Sequence, residues 1–172
     1  MKPGGTSNRG AEPALAQLPI VTKRSDIYPI KPITEGRIEA ETLDYTATAG
    51  RITAQTRDIW SGELQAMWIE AKPGSELTLT FHTQEPGKRR IHLHLTRAAD
   101  YGIIDLGING TYTTHATDLF LERGIEVTPI DLGTHDLKQG PNTLNVKIVG
   151  ANPKMPTIRH IFGIDYIEIK KP

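Results

Sequence analysis

The chain has 172 residues, enough for one domain with a sizeable core, and its 20 lysines plus arginines balance 20 aspartates plus glutamates. Zero net charge with no basic run excludes the electrostatic footprint of a nucleic-acid binder or of a protein held to an anionic membrane. The lack of cysteine excludes disulfides, thiolate zinc sites and thiol nucleophiles, and no apolar run approaches the length of a membrane span.

Residues 1–35 carry prolines at 3, 13, 19, 29 and 32 and glycines at 4, 5 and 10, with no sustained period. That composition predicts a linker or extended tail tethering the domain, residues 36–172, to something else. Residues 14–20 fit a turn of helix or an added edge strand. The opening Met1-Lys2-Pro3-Gly4-Gly5 does not read as a signal peptide, and the chain is expected to be secreted or periplasmic as a mature or excised piece.

From Arg37 the pattern becomes strand, turn, strand. Strands are predicted over 37–43, 51–56 and 63–70, the last ending at the Lys72-Pro73-Gly74-Ser75 turn. Residues 76–83 alternate cleanly, with Leu77, Leu79 and Phe81 on one face and Thr78, Thr80 and His82 on the other. Residues 89–96 alternate again: Ile91, Leu93 and Leu95 face inward, Arg90, His92 and His94 outward. Matching the apolar faces across Pro86-Gly87 predicts a hairpin with Phe81 opposite Ile91 and all six polar residues on one sheet face. Further strands are expected at 102–109, 125–132, 143–149 and 161–169, with long loops at 110–124 and 150–160. About nine strands and no ordinary helix predict an all-β, two-sheet antiparallel sandwich.

Two stretches of acid stand out. In Ile161–Ile169, Asp165 shares a face with Ile167 and Ile169, while Phe162, Ile164 and Tyr166 take the other. A carboxylate among isoleucines is costly unless a cation or several donors meet it. In Ile38-Glu39-Ala40-Glu41, both glutamates fall on one strand face, roughly 6–7 Å apart. If the first and last strands are neighbours, Glu39, Glu41 and Asp165 converge as an oxygen cluster suited to calcium. The alternative is two exposed strand glutamates and a hydrogen-bonded aspartate.

Glu39-Ala40-Glu41 near the start and Gly163-Ile164-Asp165-Tyr166-Ile167 at the end resemble the opening and closing strands of galactose-binding-like jelly-roll sandwiches. The chain is similar to carbohydrate-binding modules of families 6 and 35. The resemblance implies that these carboxylates hold a structural calcium ion. Gly163 departs from the pattern, which often has asparagine there. Residues 98–102, 130–133 and 149–153 further resemble accessory sandwich domains of secreted polysaccharide-degrading bacterial proteins.

Sugar recognition needs flat apolar surfaces and a few planar polar groups. Trp68, Phe81 and Tyr166 fit strand periodicity and read as core. Trp60, in the polar stretch Asp58-Ile59-Trp60-Ser61-Gly62, is the candidate exposed platform, the alternative being a cap on the core edge. Tyr112, His115 and Phe120 in one long loop and Asn152, Arg159 and His160 in the other are candidate ligand contacts, or bystanders. His92 and His94 would need a third ligand to hold a transition metal; a solvated face or a platform for an acidic glycan are the other readings. No nucleophile elbow, phosphate-cradling loop or His-Glu-x-x-His helix is present, so no catalytic residue is assigned. Asp105, Asp118 and Glu122 could supply a carboxylate pair, but sequence spacing cannot place them for glycoside cleavage. The expected function is a non-catalytic carbohydrate-binding module that brings a partner enzyme or assembly to a polysaccharide. The alternatives are a structural or protein-interaction sandwich of an extracellular assembly and a domain that completes another subunit's active site.

Overall fold

The computed structural model describes residues 20–172. Twelve strands form two six-stranded antiparallel sheets facing each other, as the half-buried alternation requires. They are β1 (Ile20–Thr22), β2 (Gly36–Glu39), β3 (Asp44–Ala47), β4 (Arg51–Thr56), β5 (Leu64–Ile69), β6 (Glu76–Thr83), β7 (Gly87–Arg97), β8 (Ile103–Ile108), β9 (Thr111–Asp118), β10 (Glu126–Leu137), β11 (Gly140–Gly150) and β12 (Phe162–Lys170). Sheet A runs β1-β3-β6-β11-β8-β9, and sheet B runs β10-β7-β12-β5-β4, with β2 also paired to β12.

The core lies between the sheets. Leu77, Leu79 and Phe81 of β6 and Leu144, Val146 and Ile148 of β11 meet Ile91, Leu93 and Leu95 of β7 and the inward residues of β12. Each such side chain contributes about 1.5–3 kcal/mol by leaving water.

The expected hairpin is corrected. Phe81 and Ile91 are both fully buried, but β6 belongs to sheet A and β7 to sheet B. The chain crosses the sandwich at Gln84–Pro86, so the two residues sit in opposing layers. Thr78, Thr80 and His82 therefore lie outside one sheet, and Arg90, His92 and His94 outside the other. The long loop expected at 110–124 is also corrected: residues 111–118 form the edge strand β9.

The tail reading fails for residues 20–35. β1 pairs with the edge of β3, Ile33 bridges Thr83, and Ser25 is hydrogen-bonded to Asp44, so this segment is part of the sandwich. The rest of the predicted tail, including the possible helix turn at 14–19, lies outside the described residues. Among the described residues no helix is long and apolar enough to cross a membrane.

Candidate functional site

β12 is central to sheet B and changes neighbour halfway along. On one side it pairs with β7 over Ile164–Lys170; on the other it pairs with β5 over Phe162–Ile164 and with β2 over Tyr166–Ile169. The register against β7 slips between Ile164 and Tyr166, making Asp165 the extra residue of a β-bulge. The bulge resets the alternation, so Phe162, Ile164, Ile167 and Ile169 all enter the core. Tyr166 and Glu168 face outward beside His94 and His92. This corrects the simple two-face reading of the strand and explains why both of its faces looked apolar.

Asp165 thus sits where β5 ends and β2 begins, 3% exposed. Glu39 ends β2 opposite Tyr166. The strand expected through residue 43 instead breaks into a 3-10 turn at Ala40–Thr42, pinned by the Thr42 hydroxyl donating to the Glu39 carbonyl (2.7 Å). Glu41 lies in that turn, 7% exposed. The three carboxylates feel one another: burial first, then Glu39 and Asp165, push Glu41 up to about 7. Burial, joined by Glu39, pushes Asp165 up to about 6.

Ser61 bridges two of them, its N–H donating to Asp165 Oδ1 and its hydroxyl to Glu39 Oε1, both at 2.9 Å. Glu39 Oε2 and Glu41 Oε2 are buried with no hydrogen-bond partner. Orphaned carboxylate oxygens of this kind are the donor chemistry of a hard cation. Among the described residues, however, no three His, Asp or Glu side chains are gathered as a chelating group.

Trp60 does not form an exposed platform. It is 4% exposed, and its indole N–H donates to Thr96 Oγ1 at 3.0 Å. Thr96 in turn donates to Gln65 Oε1 at 2.6 Å, and Gln65 Nε2 donates to Gln55 Oε1 and Tyr101 Oη. A tryptophan whose only polar atom is satisfied inside a buried network is core, so it is withdrawn as a ligand contact. Replacing Thr96 with valine orphans both the indole N–H and the Gln65 oxygen. The expected cost is about 2–3 kcal/mol in urea unfolding.

The remaining loop candidates divide into two groups. Phe120 bridges Ala98, Asn152 donates to Asp118 at 2.6 Å, Arg159 lies 4.0 Å from Asp100, and the His160 backbone packs on Gly102. These four meet at one end of the sandwich. Tyr112 and His115 are elsewhere, on β9: Tyr112 is paired with Gly107, and His115 Nδ1 lies 3.2 Å from Asp105.

Outside sheet B, Arg37 lies 4.1 Å over the ring of Tyr166, which stacks on His94 at 3.9 Å. Arg90 and Asp131 form an ion pair, and His94 reaches Glu168 at 3.4 Å. The Tyr166 ring is therefore taken up by its own neighbours. Sequence reasoning missed Arg24, Arg37 and Ser61, the groups that act on the carboxylates.

No protein-family model matches the chain, and no curated protein matches it significantly. Among solved structures, a Paenibacillus xanthan lyase matches with TM-score 0.72 and 19% identity, over 83% of this chain and 14% of that one. A family 35 carbohydrate-binding module from Clostridium thermocellum matches with TM-score 0.50 and 20% identity, over 78% and 97%. A Podospora anserina β-(1,4)-mannanase of glycoside hydrolase family 26 carrying a family 35 module matches with TM-score 0.50 and 18% identity, over 80% and 28%. The chain thus spans a small part of the two enzymes and nearly all of the free-standing module. Its fold is the β-sandwich of carbohydrate-binding modules.

Proposed function

We propose that the chain is a non-catalytic carbohydrate-binding module that holds a polysaccharide close to an enzyme or assembly joined to it. The observation that carries this reading is the fold, shared with almost the whole of a free-standing binding module and with domain-sized portions of two polysaccharide-degrading enzymes. Tethering raises the local concentration of a partner on its substrate without any chemistry in the module itself. On this reading the chain is inferred to act outside the cytoplasm, secreted or periplasmic.

Calcium is the ion proposed for Glu39, Glu41 and Asp165. The buried, partnerless Glu39 and Glu41 oxygens support it, with backbone carbonyls completing an oxygen shell. The ion would neutralise three carboxylates and tie the turn after β2 to β12, leaving binding to other residues.

The test is electrophoretic retardation in gels containing xanthan, β-1,4-mannan and further neutral, acidic and sulfated polysaccharides, each with calcium and with chelator. Retardation by one class is the expected result. Free migration through every gel turns the reading to a protein-interaction domain.

A further inference from the structure

Residues 24–34 cross the side of the sandwich as a strap held at both ends. At one end Ser25 donates from its N–H and hydroxyl to Asp44 (2.7 and 2.8 Å), and Arg24 donates to the Glu41 carbonyl (3.2 Å). At the other, Ile33 exchanges backbone hydrogen bonds with His82 and Gln84, both at 3.1 Å. Between the ties runs Ile27-Tyr28-Pro29-Ile30-Lys31-Pro32, whose two prolines fix φ and have no N–H to pair. Beneath it is a cleft of about 300 Å³.

The walls combine two kinds of surface. Tyr28 and Ile30 of the strap and Ile38 of β2 supply apolar side chains to its lining. Ile27, Tyr28 and Ile30 remain 75%, 39% and 51% exposed, a concentration of apolar side chains that marks a binding surface. Arg37, Thr42 and Asp44 add donors and acceptors along the same cleft. Arg37 is already oriented, stacked on Tyr166 and donating to Ser61 at 2.9 Å. A hydrocarbon ligand would strip water from these polar groups without replacing it. A purely anionic one would find Lys31 and Arg37 but would also meet Asp44 and Glu39. A sugar fits both surfaces, since its C–H faces suit the apolar walls and each hydroxyl both donates and accepts.

We propose that this cleft, and not the sandwich-end loops, takes the glycan, and that it receives a chain end of one or two sugar units. At about 300 Å³ it is at the small end of ligand clefts, which suits a terminus better than a run of chain. The proposal rests on the module reading above.

The experiment is an NMR titration of the whole chain with two-unit and six-unit β-1,4-manno-oligosaccharides and with xanthan fragments. The expected result is amide shifts confined to residues 27–31 and 42–44, with equal affinity for short and long oligomers. Tyr28→Ala should weaken binding at least tenfold with an unchanged melting midpoint, and Tyr28→Phe should retain it. Shifts at 118–121 and 150–160, with Tyr28→Ala silent, overturn the cleft and leave the module reading standing. Six-unit chains binding far more tightly than two-unit ones overturn the chain-end mode. No shift with any of these sugars overturns the cleft as their site; if the gels also show no retardation, the module reading falls with it.

Discussion

Gly163→Ala should lower the unfolding free energy by about 2–4 kcal/mol, a large change for a single methyl group. A Cβ at Gly163 would stand 2.5 Å from Gln65 Oε1 and 2.8 and 2.9 Å from Tyr101 Cε1 and Oη. These atoms belong to two side chains that are buried and hydrogen-bonded to each other. Gln65 is fully buried and hydrogen-bonded to Gln55, Thr96 and Tyr101, and burial pushes the Tyr101 hydroxyl up to about 12. The new methyl must therefore break a buried network or displace the central strand. Asparagine, common at this place in the resembling families, is expected to be worse than alanine. Here Gln65 and Tyr101 fill the space its side chain would need. Urea unfolding tests this through a lower midpoint at unchanged slope. In the double variant with Gln65→Ala, the two costs should sum to more than the pair's. A shift below about 0.5 kcal/mol for Gly163→Ala would reject the account.

The second large effect is a stability that falls with pH when no divalent ion is supplied. Glu41 moves from 4.5 to about 7 on folding and Asp165 from 3.8 to about 6. Between roughly pH 4 and 7 the folded state thus binds more protons than the unfolded one, so stability decreases as pH rises. From pH 5 to pH 8 the expected loss is about 2–3 kcal/mol, since the two groups share one field and do not add in full. Asp131, lowered to about 2 by Arg90, has finished titrating below this window. His94, lowered by burial, works in the opposite sense, so the comparison is made against Glu41→Gln. That variant should flatten the slope. Calcium at pH 8 should restore the wild type and leave Glu41→Gln much less changed. A wild-type stability equal at pH 5 and 8 with chelator would remove the electrostatic basis of the proposed ion site.

The strands that alternate were legible from sequence. Residues 51–56 and 76–83 are found as expected, because half-buried strands write their faces in period two. The same alternation says which way a side chain points but not which sheet holds it. Alternation therefore pairs Phe81 and Ile91 as neighbours, whereas they lie in opposite sheets. β9 was invisible because an edge strand of threonines has no apolar face to display. For Trp60, no local signal distinguishes an exposed loop tryptophan from one whose N–H finds Thr96, 36 residues away. The nearness of Glu39 to Asp165, both hydrogen-bonded by Ser61, was legible only through the pairing of β2 with β12. Its details were not: neither the turn that carries Glu41 nor the bulge that carries Asp165 alters the composition around it.

The central position of β12 bears on how the chain acquires its fold. Until residues 162–170 arrive, sheet B consists of two separate pieces, β10 with β7 and β5 with β4, and β2 has no partner in it. During synthesis most of the polypeptide must leave the ribosome with the edges of β7 and β5 unpaired. Closure then comes as one late, long-range step, pairing Phe162 with Trp68 and Ile169 with Gly36, for which slow folding is expected. A polypeptide stopped short of Phe162 keeps nearly every strand and still lacks the one that makes them a sheet.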